Sequence, residues 1–118
     1  MPGNTIRGSW GEDLATHYLQ QSGYEILHRN WRFSRFEIDI IAAKNQFLHF
    51  IEVKTRSSLQ FGFPEESVSA KKLMNLMKAA EQYQYQYPEW TKVQYDVLSI
   101  LLQAGAAPAF YLLEDIYL

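Results

Sequence analysis

Phe36-Glu37-Ile38-Asp39-Ile40-Ile41-Ala42-Ala43-Lys44-Asn45-Gln46-Phe47-Leu48-His49-Phe50-Ile51-Glu52-Val53-Lys54-Thr55-Arg56 is the stretch on which the fold turns. Two runs rich in β-branched and aromatic residues, Phe36 to Ala43 and Phe47 to Arg56, flank the turn residues Lys44-Asn45-Gln46, a pattern that predicts a β-hairpin. Side chains alternate across a strand with a period of two. Glu52 and Lys54 therefore share one face, and Ile51 and Val53 take the other. In the partner run Glu37 and Asp39 share a face, opposite Phe36, Ile38 and Ile40. Three carboxylates and a lysine thus crowd one side of a hairpin made of strong β-formers. The pattern does not set the register, so either Glu37 or Asp39 can lie opposite Glu52.

Before the hairpin, Tyr24 to Asn30 reads as a short strand. A helix precedes it, capped by Asn4 or Thr5 and running to about Ser22, with Gly23 as a left-handed stop. Trp10, Leu14 and Tyr18 form its apolar stripe, widened by Ala15 and Leu19, and Glu12 falls at the stripe's edge while Asp13 points away. After the hairpin, Ser57 to Glu66 is a loop containing Gly62 and Pro64. A second helix follows from a Ser69 cap to Tyr87, where Pro88 ends it, with Leu73, Leu76, Met77, Ala80 and Tyr83 or Tyr87 on its apolar face. Val93 to Leu102 is a strand, Gln103 to Pro108 a turn, and Ala109 to Leu113 a last strand. The order α-β-β-β-α-β-β predicts an α/β or α+β sandwich in which a mixed sheet carries a helix on each side.

With 118 residues, 47% of them hydrophobic, the chain is sized for one domain over residues 1–118 with one core that needs no staples. Cysteine is absent, which removes disulfides and thiolate metal sites. No apolar signal segment stands in Met1 to Trp10, and Val97 to Leu113 is too short and too interrupted to span a bilayer, so a cytoplasmic protein without a membrane partner is expected. The net charge of −2 argues against a strongly basic nucleic-acid binder, yet residues 29–78 hold nine basic and five acidic residues, a local +4 against −6 elsewhere. Such a section can face phosphates, although Lys and Arg also serve simply to solvate exposed faces.

Adjacent carboxylates on a sheet repel and force one pKa upward unless a cation intervenes. Mg²⁺ takes oxygen ligands of this kind, commonly one or two carboxylates plus water and phosphate oxygens. Bound there, the ion neutralises a phosphodiester and acidifies a water, while Lys54 orients the attacking water or stabilises the developing charge. The plainer reading is a charged solvent face, with Lys54 paired to Glu52 or Asp39.

Gly8-Ser9-Trp10-Gly11-Glu12-Asp13-Leu14-Ala15, Asn30-Trp31-Arg32, Glu37-Ile38-Asp39-Ile40-Ile41-Ala42, Phe50-Ile51-Glu52-Val53-Lys54-Thr55-Arg56, Phe61-Gly62 with Pro64, Lys71-Lys72 and Tyr95-Asp96-Val97 occur in that order. This set closely resembles the YraN-like family of small bacterial proteins, within the restriction-endonuclease-like, PD-(D/E)xK superfamily. The resemblance implies a restriction-endonuclease-like core, a four- or five-stranded mixed sheet flanked by helices, similar to Holliday-junction resolvases. It maps the superfamily's metal-binding acid to Asp39, its Glu-x-Lys to Glu52 and Lys54, and its helix-borne acid to Glu12. It also implies hydrolysis dependent on Mg²⁺ or Mn²⁺, with Asp39, Glu52 and Lys54 catalytic and Glu12, Asp39 and Glu52 holding the metal. Fold is inherited more safely than activity. Two positions depart from the pattern: Phe36 stands where the family usually has Gly, and Gln94 replaces a basic residue.

Arg32, Arg35, Lys71 and Lys72 are the candidates for contact with nucleic acid, the expected partner, most of all DNA that is branched or partly single-stranded. Glu37, Arg56 and Asp96 are accessory candidates. Asp96 in an apolar strand needs a partner, either the site's lysine or a neighbouring element that it caps. His17, His28 and His49 show no ligand spacing and read as structural or surface residues, His49 alternating to the face opposite Glu52. Tyr83 and Tyr87 read as packing residues rather than base-stacking platforms. A metal-dependent endonuclease is the expectation, with a non-catalytic nucleic-acid-binding or protein-interaction domain as the alternative. The oligomeric state, a homodimer included, is left open.

Overall fold

The computed structural model describes residues 2–57 and 70–116, with side chains from Trp10 onward. Two helices, α1 (Pro2–Gln21) and α2 (Ala70–Gln86), and five strands, β1 (Glu25–Phe33), β2 (Phe36–Lys44), β3 (Phe47–Arg56), β4 (Val93–Leu101) and β5 (Ala109–Leu113), follow one another as α1-β1-β2-β3-α2-β4-β5. This is the α/β order expected from the sequence. The predicted loop from Ser57 to Glu66 and the Ser69 cap lie, Ser57 apart, outside the described residues.

The strands form one sheet in the order β1-β2-β3-β4-β5. β1, β2 and β3 make an antiparallel meander, and β5 runs antiparallel to β4. Asn45 and Gln46 close the β2–β3 turn with φ of 52° and 70°, the left-handed pair that a two-residue hairpin demands. Only β3 and β4 are parallel, from Leu48↔Val93 to Arg56↔Leu101. A parallel neighbour needs a crossover, and α2 lies between the two strands in the chain.

Each helix buries one face of the sheet. Leu73, Leu76, Ala79, Ala80 and Tyr83 of α2 pack on Ile38, Ile41, Leu48 and Phe50. Met77, expected on that face, is 38% exposed. On the other face Ala15 and Leu19 of α1 meet Ile40, Ala42, Ile51, Leu98 and Ile100. Here the expected stripe is rotated. Trp10 is 52% exposed, and the buried line runs through Gly11, Ala15 and Leu19, because a Cβ at Gly11 would collide with Oγ1 of Thr55 on β3. α1 also starts at Pro2, so Asn4 and Thr5 stand inside the helix rather than capping it. Its end matches the expectation: Gly23 has a φ of 95°, and Tyr24 N donates back to Leu19 O at 3.0 Å. No helix among the described residues is long and apolar enough to cross a membrane.

Strict alternation fails in β2. Ile38 packs under α2 while Ile40 packs under α1, although two residues apart should share a face. The phase slips at Asp39. Directly across in β1, Asn30 has a φ of 53°, a conformation that Asn tolerates and most residues avoid. β1 continues past it to Phe33, three residues beyond the predicted end.

Candidate functional site

The β2–β3 ladder begins at Ile40↔Ile51 and runs toward the turn. One step further out, Asp39 would face Glu52, which resolves the register in favour of Asp39 over Glu37. Asp39 does not continue the ladder with its backbone. Its Oδ2 instead accepts the Val53 N–H at 2.8 Å, so a side chain substitutes for a main-chain carbonyl where the strands part. The parting opens a cavity of about 170 Å³ lined by Arg35, Phe36, Glu37, Asp39, Glu52, Lys72, Asn75 and Leu76.

Glu52 lies opposite Ile51 and Val53, as alternation predicts, and the face it occupies is that of α2 rather than of α1, from which Glu12 was expected to approach. Glu52 Oε1 receives Lys72 Nζ at 2.7 Å and Lys54 Nζ at 3.5 Å. The carboxylate is only 13% exposed, so both ammonium groups act on it with little water between. Burial lowers the pKa of Lys54, and the Lys72 charge beside it acts in the same direction, against the pull of Glu52. Burial acts most strongly on Lys72 and lowers its pKa, but its hydrogen bonds to Glu52 and Lys54 and the charges of Glu52 and Asp39 together outweigh this and raise it.

Asp39 carries the largest electrostatic stress of the cavity. Burial pushes its pKa from 3.8 up to about 6, the Val53 bond opposes the rise, and the charges of Glu52, Glu12 and Glu37 add to it. Glu12 belongs to α1, the helix on the other face. It reaches the same end of the sheet through Asn30, whose Nδ2 donates to Glu12 Oε1 at 2.9 Å, with Arg29 Nη2 3.9 Å from that oxygen. Asp39 thus stands where the two faces meet, with Glu12 acting from one side and Glu52 from the other.

The remaining expected residues divide. Arg35 lines the cavity and lies 5.4 Å above the Phe36 ring. Arg32 pairs with Glu37 across β1 and β2 at 2.7 Å, so both charges are already matched. Lys71 is exposed on the first turn of α2. Arg56 is half-buried, and its Nε lacks a hydrogen-bond partner among the described residues. Asp96 shares a face with Leu98 and Ile100, away from the cavity, whose lining it does not join. It binds His49 Nδ1 at 2.7 Å, Gln94 Nε2 at 3.1 Å and Asp115 N at 2.9 Å. Of its two expected roles, it takes the second, capping a neighbouring segment. Tyr83 is buried in the α2 core, edge-on to Trp31, His28 and Phe50, as a packing residue should be.

Two residues of the cavity region were not legible as such. Lys72 reads in sequence as a phosphate contact, whereas its position one turn from Leu76 points it at Glu52; a lysine in a first helical turn, opposed by the helix dipole, was the available signal. Asn30 positions Glu12 through its left-handed backbone, and the only hint was the residue type. Among the described residues, the trio of ligating atoms that falls within 4.8 Å mutually is His49, Asp96 and Glu114, not Glu12, Asp39 and Glu52. Asp39 and Glu52 line the cavity, with Glu52 drawn to two lysines, while Glu12 does not line it.

Residues 11–100 match the model of the uncharacterised protein family UPF0102. A UPF0102 protein of Syntrophomonas wolfei is 44% identical over 103 residues, covering 86% of this chain and 90% of its own length. One of Rhodococcus opacus is 38% identical over 118 residues, covering 99% and 100%. A third, of Chlorobium phaeobacteroides, is 44% identical over 98 residues, covering 82% and 77%.

Proposed function

We propose, from the premise that this chain belongs to the uncharacterised protein family UPF0102, that the cavity at Asp39 is the catalytic centre of a metal-dependent phosphodiesterase acting on DNA. The observation that carries this reading is the meeting of Asp39 and Glu52 with Lys54 and Lys72 at the point where β2 and β3 part, within reach of the Glu12 charge. A folding chain has no structural need to bury a carboxylate among three others, and such groups concentrate at functional sites. The donor set fits Mg²⁺ or Mn²⁺, since Glu12, Asp39 and Glu52 offer only carboxylate oxygens. Those three residues would hold the ion, which when bound neutralises phosphate charge and acidifies a water.

The chain's own residues supply the rest. Val53 N–H fixes one oxygen of Asp39, a residue that lines the cavity. Glu52, now paired with Lys72 and Lys54, would be one of the residues to hold the ion, and Lys72 would then be placed to meet a phosphate. Lys54, held on the strand beside Glu52, stabilises charge developing on the attacked phosphoryl oxygens. Arg35 and Lys71 supply contacts to flanking phosphates, which position the substrate without reading its sequence.

The Phe36 ring supports a second reading, a binding domain without cleavage. It lines the cavity and sits beneath both Arg35 and Lys78, whose charges lie 5.4 and 5.9 Å from its centre, so it narrows the place where a scissile phosphate would enter. A cleavage assay on duplex, single-stranded and branched DNA with Mg²⁺, Mn²⁺ or EDTA separates the two. Cleavage that needs metal and disappears in Glu52→Gln supports the enzyme. Cleavage persisting in EDTA or in Glu52→Gln defeats it, and metal binding without cleavage favours the second reading, with Phe36→Gly the variant to try next.

A further inference from the structure

The trio His49, Asp96 and Glu114 stands on the sheet face opposite Glu52, near the β2–β3 turn. Its central pair is buried: the His49 side chain is 5% exposed and that of Asp96 not at all. Asp96 Oδ2 lies 2.7 Å from His49 Nδ1, and its Oδ1 accepts from the Gln94 amide and the Asp115 backbone N–H. With Nδ1 engaged by Asp96, Nε2 is the ring nitrogen left for another ligand. Among the described residues Nε2 has no hydrogen-bond partner.

The His49 side chain borders a cleft of about 350 Å³ lined by Lys44, Asn45, Phe47, His49, Gln94 and Glu114. Asp96 does not line it, so the order from the interior outward is carboxylate, imidazole, cleft, with Glu114 on the cleft wall. Glu114 is placed there by a constructed turn rather than by a loose end. Asp115 adopts a φ of 57°, its N–H is tied to Asp96, and Ile116 N returns to Tyr95 O at 2.8 Å. The Tyr24 hydroxyl donates to Glu114 Oε1 at 3.4 Å, and its ring stands edge-on to His49 at 4.9 Å. Lys44 also lines the cleft, but its ammonium rests over the Tyr24 ring at 4.8 Å, and it forms no ion pair with Glu114 among the described residues.

A buried carboxylate that fixes a histidine by Nδ1 and presents Nε2 is the arrangement by which proteins orient an imidazole for metal ligation. We propose that this cleft is a second metal site, for a borderline divalent ion of the Zn²⁺ class, with His49 Nε2 and Glu114 as protein ligands and Asp96 as the group that sets the ring. One potential ligating atom from each of the three residues lies within 4.8 Å of the other two. The mixed nitrogen and oxygen donors select Zn²⁺ over Mg²⁺, the reverse of the all-carboxylate cavity at Asp39. Two protein ligands leave positions for water, so the ion would be exchangeable rather than a fold-determining staple.

The test is calorimetric titration of the metal-free full chain with Zn²⁺ and with Mg²⁺, repeated in Asp39→Asn to disable the other cavity. One equivalent of Zn²⁺ is expected to bind in Asp39→Asn and to outcompete Mg²⁺ by at least tenfold. Glu114→Gln, at an exposed position, keeps the fold and weakens Zn²⁺ by at least tenfold; His49→Gln does the same where it folds. Asp96→Asn weakens it by about 10–100-fold, the usual effect of losing such an orienting carboxylate. Nitrogen-15 spectra of the imidazole should show Nε2 shifting on Zn²⁺ addition while Nδ1 keeps its proton. Absence of stoichiometric Zn²⁺ binding overturns the proposal, as does binding that Glu114→Gln leaves intact, which would place the ion on exposed His17 or elsewhere.

Discussion

Replacing Asp39 by Asn should make the metal-free protein more stable at neutral pH, although it removes a half-buried residue from the centre of the site. The carboxylate ordinarily titrates at 3.8 and in the folded chain at about 6. At 1.36 kcal/mol per pH unit, that displacement corresponds to about 3 kcal/mol of penalty against the ionised folded form. The sign follows from proton counting. Between pH 3.8 and about 6 the folded state holds more of the Asp39 proton than the unfolded state, so stability falls as pH rises through that window. The penalty is complete above about pH 6 and vanishes below about pH 4. Asn is near-isosteric, never ionises, and its carbonyl can still accept the Val53 N–H. It forgoes the stronger bond to a charged acceptor, so the net gain is about 1–3 kcal/mol at pH 7.5.

Urea unfolding of wild type and Asp39→Asn, in EDTA at pH 7.5 and at pH 4, measures this directly, since every other titrating group is common to both proteins. The variant should unfold at higher urea at pH 7.5, and the two curves should converge at pH 4. Excess Mg²⁺ should then reverse the order, because ligand binding stabilises only the protein that retains the site. A variant less stable than wild type at pH 7.5, or a difference independent of pH, would refute the reasoning that burial and neighbouring acids load this carboxylate.

Gly11→Ala should destabilise by about 1–3 kcal/mol through overpacking against Thr55, despite the better helix propensity of Ala. Thr55→Ala should rescue it, because the next contact of the new methyl, Thr55 Cβ, is an ordinary 3.5 Å away; thermal melts of the two single variants and the double variant decide. Lys54→Met should retain Mg²⁺ affinity by calorimetry while losing about 2–4 kcal/mol of barrier lowering, read as a hundredfold or greater loss of cleavage rate. Retained cleavage would remove Lys54 from the chemistry. DNA binding should weaken with a log–log salt slope of about −0.9 per phosphate contact, and Lys71→Ala should make that slope shallower by about one contact. A flat salt dependence would count against any phosphate-facing surface around the cavity.

Much of the fold could be read from the chain because its signals are local. The turn residues Asn45 and Gln46, the β-branched runs around them, Gly23 and Pro88 each act within a few residues, and the strands they delimit are found where expected. Glu52 and Lys54 on the face opposite Ile51 and Val53 followed from period two alone. The misreadings share a non-local cause. Which line of α1 is buried depends on how closely the helix can approach β3, a matter between Gly11 and Thr55 rather than of the helix's own pattern. Lys72 could not be assigned to Glu52 without knowing that α2 crosses the sheet above it. His49, Asp96 and Glu114 are separated by 47 and 18 residues, so no spacing rule connects them; only the parallel pairing of β3 with β4 and the left-handed turn at Asp115 do.

The phase slip at Asp39 links the two kinds of error and gives the site its form. A regular strand would place Asp39 on one face, where it could meet acids from that face alone. By giving its carboxylate to Val53 N–H and standing opposite a left-handed Asn30, Asp39 interrupts the ladder and occupies the boundary between faces. Glu12 then acts from the α1 side and Glu52 from the α2 side. The same interruption opens the cavity, since strands that stop pairing no longer exclude solvent or ligand between them. It also concentrates negative charge where water is scarce, which raises the Asp39 pKa and lowers stability. Local irregularity, cavity and electrostatic cost are thus one feature, and on the proposed reading a divalent cation would relieve the cost without closing the gap. A variant that restored regular pairing here, such as Asp39→Val with Asn30→Thr, would test that identity. It should gain stability, lose the cavity and bind no Mg²⁺, whereas a stable variant that still bound Mg²⁺ at this end of the sheet would separate the slip from the site.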